Sequence, residues 1–175
     1  MSTFWTDNAL EPKRAFRFRI GGGDIGLPSA EKNRWWNAKK VDKPSFRIDS
    51  KKYRLINHQI NVPGIVTWNP ITIELADVGK TIDTILEDLG QRGGYSPDNL
   101  SNDKGIAKYY ENGILNEFSI EQLSGAGEVL EKWSLEGVFV SDVKLSSLDY
   151  SSDEIISVTL TLTYDYAKLE ETETE

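Results

Sequence analysis

The chain has 175 residues, an apolar fraction of 38%, a charged fraction of 27% and a formal net charge of −8. These values are typical of one globular domain with a buried core, and no apolar run approaches the roughly 18 residues that a transmembrane helix needs. The absence of cysteine excludes disulfides, thiol catalysis and cysteine-ligated metal sites, and a single histidine, His58, excludes a histidine-rich metal site.

Charge is spread unevenly along the chain. Residues 1–55 hold 13 Lys/Arg against 6 Asp/Glu, a net +7, whereas residues 56–175 hold 7 against 22, a net −15. Such asymmetry suits head-to-tail self-association, and an uneven solvated surface is the simpler alternative. The opening sequence MSTFWTDNALEPKR lacks the apolar core of a secretion signal.

The first part of the chain predicts an arm followed by strands. Residues 1–13, which include Phe4 and Trp5, are expected to form an arm that docks on this chain or on a neighbour. Residues 14–20, RAFRFRI, alternate strictly between apolar and charged side chains and predict a half-buried strand. Further strands are predicted at residues 34–41, in the short pieces Ser45–Ile48, Tyr53–Ile56 and Gln59–Val62, and within 65–76.

One helix is predicted directly after these strands. Asp77 has the character of an N-cap, and residues 78–90 carry apolar side chains at helical spacing. A shorter helix is predicted at residues 103–111.

The second half of the chain predicts more strands. They are expected at Asn116–Leu123, Val129–Val140 and Glu154–Tyr166. In the last segment, apolar residues alternate with a polar set: Ser157, Thr159, Thr161 and Thr163. Residues 168–175 predict an acidic, disordered tail. Strands, one flanking helix and then more strands predict a mainly β protein: an antiparallel β-barrel or sandwich over residues 14–167.

Motifs that could carry chemistry are weak. Gly21, Gly23 and Gly26 match G-x-G-x-x-G, but a polar stretch and a predicted strand follow instead of the helix that a dinucleotide needs. Gly79-Lys80-Thr81 lacks the earlier glycine of a phosphate loop. The pair Glu128 and Glu131 could serve a glycosidase, but such pairs arise by chance in an acidic chain. We therefore predict no catalytic residue, no cofactor and no metal site.

The five tryptophans allow two interpretations. Exposed rings could stack on sugars, as in a carbohydrate-binding β-sandwich, or they could anchor a core or a subunit interface. The second interpretation is favoured, and Trp35, in a predicted strand, is a candidate for a subunit interface. The five are Trp5, Trp35, Trp36, Trp68 and Trp133.

Three stretches of the chain resemble tail tube proteins of contractile-tailed, T-even-like phages and the inner-tube superfamily of contractile injection systems. The stretches are FWTDNALEPKRAFRFRI at the start, VPGIVTWNPITIEL in the middle, and WSLEGVFVSDVKLSSLDYSSDEIISVTLTLTYDYAKLE near the end. The last contains the Gly137-Val138-Phe139 strand end, the Leu148-Asp149-Tyr150-Ser151 segment and the closing strand from Val158 to Asp165. The resemblance covers most of residues 1–20 and about 60–167, and it identifies the superfamily better than the member.

The resemblance implies a structural subunit rather than an enzyme. Six copies would form a ring with a continuous inner β-barrel, and rings would stack into a tube inside a sheath. A baseplate initiator and a tail terminator are implied as further partners, with no integral membrane association. The tube would be assembled in the host cytoplasm, become part of the virion tail and conduct genomic DNA without binding it specifically. An acidic chain suits such a lumen, because a basic wall would hold phosphates.

Two sets of residues are candidates for these roles. Ser157, Thr159, Thr161 and Thr163 are predicted to line the lumen, and Phe4, Trp5, Arg17, Arg19 and Trp35 are predicted at subunit interfaces. The alternatives are the inner tube of a bacterial type VI or extracellular injection system, which carries protein cargo, and a carbohydrate-binding β-sandwich.

Overall fold

The described part of the chain is built mainly from antiparallel strands. The computed structural model describes residues 12–22, 35, 37–79, 81–83, 85–87 and 118–170. Phe4, Trp5, Trp36 and the helix predicted at 103–111 lie outside these residues. The strands are β1 Phe18–Gly21, β2 Ala38–Val41, β3 Ser45–Leu55, β4 His58–Asn69, β5 Ile71–Ala76, β6 Phe118–Leu123, β7 Val129–Glu136, β8 Phe139–Leu145, β9 Ser157–Thr163 and β10 Tyr166–Glu170.

The ten strands form two sheets and a ribbon. Sheet A has the order β1-β6-β7-β10, and sheet B has the order β2-β5-β9-β8. Strands β3 and β4 pair with each other as a separate two-stranded ribbon. All of these pairings are antiparallel. The predicted mainly β, antiparallel class is therefore confirmed.

Both sheets contribute one face to a shared hydrophobic core. Alternate residues of β5 and β9 point inward because side chains along a strand change face at every residue. Burying an aliphatic side chain of this size contributes about 1.5–3 kcal/mol, so these two strands anchor the fold. The inward residues of the two strands, each 0% exposed, are Ile71, Ile73, Leu75, Val158, Leu160 and Leu162. From sheet A, Ile20, Phe118, Ile120 and Leu135 join the same cluster.

A short helix, α1, packs on this core, with helical residues 81–83 and 85–87 described. Ile85 and Thr81 are buried, whereas Leu86 is exposed. The predicted N-cap role of Asp77 is wrong, because Val78 and Gly79 are not helical and Gly79 has a φ of 67°. Thr81 Oγ1 instead accepts a hydrogen bond from Val78 N–H at 3.2 Å. No helix within the described ranges is long and apolar enough to cross a membrane.

Several predicted strand boundaries in the first half are wrong. Strand β1 begins at Phe18, because residues 15–16 form a turn that leaves Phe16 75% exposed. Strand β2 begins at Ala38 and does not include Trp35. The three short pieces between residues 45 and 62 belong to one long ribbon, whose strands are joined by a two-residue turn at Ile56 and Asn57. The ribbon was missed because its apolar pattern changes face partway along.

The second half contains two breaks that the alternation did not reveal. The segment predicted as one strand at 129–140 turns at Gly137, which has a φ of 66° that favours glycine. A single strand was predicted at Glu154–Tyr166. The structure has β9 there, which ends at Thr163, and the chain then enters the other sheet as β10. Lys168 to Glu170, expected in a disordered tail, pair with β7 as part of β10.

Candidate assembly surfaces

Sheet B has one apolar face and one polar face. Leu160 pairs with Ile73 of β5 and Val143 of β8 on the core side, whereas the neighbouring Thr161 pairs with Thr72 and Asp142 on the other side. We call the second side the polar face; it carries the four residues predicted to line a lumen, and all four are half-buried between neighbouring strands. These residues are Ser157, Thr159, Thr161 and Thr163.

The polar face carries charges of both signs. Thr159 stands in register with Glu74 on one side and Lys144 on the other, and Glu74 stands in register with Lys40. Asp142 supplies the second carboxylate of the face. Among the described strands of sheet B, three cations, Lys39, Lys40 and Lys144, thus share this side with two anions. The acidic charge of the chain is therefore not concentrated on the described part of this face.

The edges of sheet B are formed by β2 and β8. Among the described strands, β2 pairs only with β5, and β8 pairs only with β9. An edge strand presents backbone donors and acceptors to any second strand that approaches it. A sheet with two such edges can be extended by a copy of itself on either side.

The ribbon of β3 and β4 carries exposed apolar side chains over its whole length. Near its base, Phe46 contacts Trp68, with ring centroids 5.1 Å apart, and Trp68 contacts the core residue Tyr164 at 5.9 Å. Two β4 residues, Gly64 and Ile65, oppose the single residue Asp49, so a β-bulge interrupts the register there. Beyond the bulge, the pairs Lys51–Val62, Tyr53–Ile60 and Leu55–His58 share one face.

The bulge moves the apolar side of the ribbon to the opposite face. Alternation along β3 places Phe46 and Ile48 on one side and Tyr53 and Leu55 on the other. Gly64 permits the bulge, since a Cβ at this position would lie 3.0 Å from the Asp49 carbonyl oxygen. The apolar side of the ribbon base therefore contacts the core through Trp68 and Tyr164, and the apolar side of the tip lies on the opposite face of the ribbon.

A second exposed surface is the loop between β8 and β9, residues 146–156. It lines a groove of about 750 Å³ and exposes Leu148, Tyr150 and Ile155. Asp149 Oδ1 accepts a hydrogen bond from Ser151 N–H at 2.9 Å, which shapes the turn and lowers the pKa of that carboxyl group. Lys39 Nζ donates to Ile155 O at 3.3 Å and fastens the loop to β2.

Arg19 lies in a row of alternating charges on sheet A. The row runs across all four strands as Arg19, Glu121, Lys132 and Glu170. Arg19 Nε donates to Glu121 Oε2 at 2.6 Å, and Lys132 Nζ lies 2.6 Å from Glu170 Oε2. Opposite charges on adjacent strands stabilise a sheet. The Arg19 guanidinium is therefore already paired within its own chain.

Arg17 and Trp35 also make contacts within the chain. The Arg17 guanidinium lies 5.5 Å from the Phe16 ring, and its backbone carbonyl accepts from Gln122 Nε2 at 3.0 Å. Trp35 is buried, meets Phe118 edge-on at 5.6 Å, and donates from Nε1 to Gly22 O at 3.0 Å. The structure thus places Trp35 in the core of one chain, and Arg17 and Arg19 at or near strand β1.

Glu131 joins three parts of the chain. Its carboxylate accepts from Lys13 Nζ at 2.5 Å, from Lys43 Nζ at 2.9 Å and from Trp133 Nε1 at 2.6 Å. Burial raises the pKa of Glu131, but these three donors outweigh burial and hold the pKa at about 2, below the ordinary value of 4.5. Lys43 follows β2 of sheet B, so this cluster ties sheet B to β7 of sheet A. Glu131 is thus a carboxylate with three partners within the chain.

The described ranges contain no cluster of side chains suited to binding a metal ion. No three His, Cys, Asp or Glu side chains there are grouped so that they could hold a metal ion.

Comparison with known structures finds this fold in chains of contractile injection system assemblies. A chain of the anti-feeding prophage baseplate is similar with a TM-score of 0.68 and 13% identity, covering 94% of this chain and 99% of that one. A chain of the anti-feeding prophage tube-terminating cap has a TM-score of 0.64 and 18% identity, covering 98% and 100%. A chain of the PVC extracellular contractile injection system sheath–tube complex has a TM-score of 0.60 and 17% identity, covering 92% and 93%.

These similarities establish the fold over nearly the whole length of the chains compared. Neither a protein-family model nor a curated protein sequence matches the chain.

Proposed function

We propose that this protein is a structural subunit of the tube of a contractile tail or contractile injection system. Copies would form stacked six-membered rings around a central channel. The observation that carries the proposal is the two-sided sheet B, with a buried apolar face, a threonine-rich polar face and an edge strand on each side. The shared fold with the anti-feeding prophage and PVC chains supports it, and the former structure is described as six-fold symmetrised.

Ring closure follows from the edges of sheet B. If β8 of one copy pairs with β2 of the next, the four strands of each copy continue into those of its neighbour. A rotation between copies then closes the sheet into a barrel, which removes the open edges. The polar face would line the channel because the apolar face is already buried in each chain. Phe4, Trp5, Arg17, Arg19 and Trp35 remain the sequence-based candidates for subunit contacts, although Arg17, Arg19 and Trp35 already have partners within the chain.

The polar face suits a channel through which a polymer slides. Hydroxyl groups interact with water, and a wall on which carboxylates accompany the lysines gives little net attraction for phosphate. We propose a phage tail tube that conducts DNA as the first candidate. It would be assembled in the host cytoplasm with sheath, initiator and terminator partners and would have no enzymatic activity. The inner tube of a bacterial injection system is the second candidate, favoured by the fold shared with the PVC chain.

Negative-stain electron microscopy of the purified protein tests the proposal. Rings or hollow tubes are expected over a range of salt and protein concentrations. Particles produced with the complete gene cluster would then separate the two candidates, since nuclease-protected DNA supports a phage tube and protected protein supports an injection device. Small monodisperse particles under every condition, together with quenching of tryptophan fluorescence by sugars, would instead support a carbohydrate-binding module.

The lumen assignment has its own test, because the chain has no cysteine of its own. In tubes of Thr161→Cys, a small maleimide should react while a maleimide carrying a large polymer reacts at least about tenfold more slowly. Glu128→Cys, at the exposed turn between β6 and β7, is the matched control and should react with both reagents. Equal reaction of Thr161→Cys with both reagents in intact tubes would place the polar face outside the channel.

A further inference from the structure

The tip of the ribbon exposes an apolar face that a lone chain does not cover. On this face Tyr53 is 59% exposed, Leu55 47%, Ile60 43% and Val62 47%, and Ile56 at the turn is fully exposed. A two-stranded ribbon is only marginally stable in water, and contiguous apolar surface of this kind marks an interaction site. We call residues 50–62 the ribbon tip.

The ribbon tip is also basic. Lys51, Lys52 and Arg54 lie on β3, and residues 50–62 contain no aspartate or glutamate. Lys51 belongs to the apolar face, and the other two lie on the opposite face of the same short segment. A surface that covers the ribbon tip must therefore offer both apolar side chains and carboxylates.

The loop at residues 146–156 has those properties. Leu148, Tyr150 and Ile155 are exposed beside its groove, and the loop carries Asp149, Asp153 and Glu154. No lysine or arginine occurs between residues 145 and 167. The loop and the ribbon tip are thus opposite in charge and alike in apolar exposure.

The two surfaces do not cover each other within one chain, because both remain exposed in the same structure. We propose that the ribbon tip of one copy docks on the 146–156 loop of a second copy. This inference rests on the proposed function, since it names two surfaces that would join subunits of the tube. The contact is heterologous, so each copy offers one free ribbon tip and one free loop, and the assembly can extend.

Charge reversal in two separate variants tests the docking. Variant one carries Lys51→Glu and Lys52→Glu, which makes both of its surfaces acidic. Variant two carries Asp153→Lys and Glu154→Lys, which makes both basic and retains Asp149, whose hydrogen bonds shape the loop. Each variant alone should lose assembly by about tenfold or more, measured as pelleted tube and by electron microscopy, because like charges face each other.

An equal mixture of the two variants should assemble again. The acidic ribbon tip of variant one then meets the basic loop of variant two, and the basic ribbon tip of variant two meets the acidic loop of variant one. Recovery in the mixture also shows that both variants fold. Asp83→Lys with Glu87→Lys, two exposed carboxylates on α1, is the matched control and should assemble like the natural protein.

The outcomes separate the two proposals. If the natural protein forms neither rings nor tubes, the proposed function fails. If the natural protein forms tubes, the docking proposal is overturned by any of three results: assembly of either variant alone, no recovery in the mixture, or equal loss in the α1 control.

Discussion

Removing the Glu131 carboxylate should destabilise the protein in a pH-dependent way. Glu131→Gln keeps the shape of the side chain but removes the charge that Lys13 and Lys43 contact at 2.5 and 2.9 Å. Because these ion pairs join β7 to the segment before β1 and to the connector after β2, their loss weakens the attachment of the two sheets. The expected effect is a lower free energy of unfolding at neutral pH.

The magnitude follows from the pKa of Glu131. A fall from 4.5 to about 2 corresponds to about 3 kcal/mol at roughly 1.4 kcal/mol per pH unit. Water screens the two lysines, which are about half exposed, so we expect a loss of about 1–3 kcal/mol. The carboxyl pKa is depressed in the folded state, so this stabilisation is fully present above the unfolded value near 4.5 and disappears as the pH falls toward about 2.

Urea denaturation near pH 7 and at about pH 2.5 measures the effect. It is done at protein concentrations low enough that the midpoint does not depend on concentration. The difference between the natural protein and Glu131→Gln should be large near neutrality and should shrink strongly at the acidic pH. Glu128→Gln, at the exposed turn before β7, is the control and should change stability by less than about 0.5 kcal/mol. A difference for Glu131→Gln that stays constant across this range would refute the reasoning.

Two further predictions concern the strands that carry the candidate surfaces. Leu160→Ala, in the core, should cost about 2–5 kcal/mol of unfolding free energy, whereas Thr161→Ala, on the polar face, should cost less than about 1 kcal/mol; equal losses in urea titrations would contradict the assignment of the two faces. Gly64→Ala should speed hydrogen exchange of the ribbon amides about tenfold, because its Cβ would press on the Asp49 carbonyl oxygen. Unchanged exchange would show that the bulge accommodates a side chain.

The alternation of apolar and polar residues was enough to predict β5 and β9, the two central strands of sheet B. The alternation around Ile73 and Leu160 predicted strands with one buried face, and both strands have that face in the core. Alternation carries this information because it records burial residue by residue. The same alternation predicted the threonine-rich face, so the candidate lumen surface was visible in the sequence before its neighbours were known.

The positions where strands end, and the pairing between strands, were less predictable from the sequence. Alternation continued past Thr163 although the chain leaves sheet B there, because β10 has the same period as β9 but packs in another sheet. The ribbon was not predicted as one hairpin, because the bulge at Gly64 moves its apolar side chains from one face to the other and so interrupts the alternating pattern. The two-residue turn at Ile56 and Asn57 contains no glycine, so the usual signal for a hairpin was absent as well.

The sequence by itself determined the mainly β class, the two-sided strand β9, the lack of cysteine chemistry and the uneven distribution of charge. Only the tertiary structure decided which residues meet across long separations, such as Lys13 with Glu131, or Arg19 with Glu121. It also decided that the polar face carries lysines as well as carboxylates although the chain is acidic. The physical reason is that burial periodicity is a local property of the chain, whereas strand order, register and the grouping of charges on a surface depend on how the two sheets share one core.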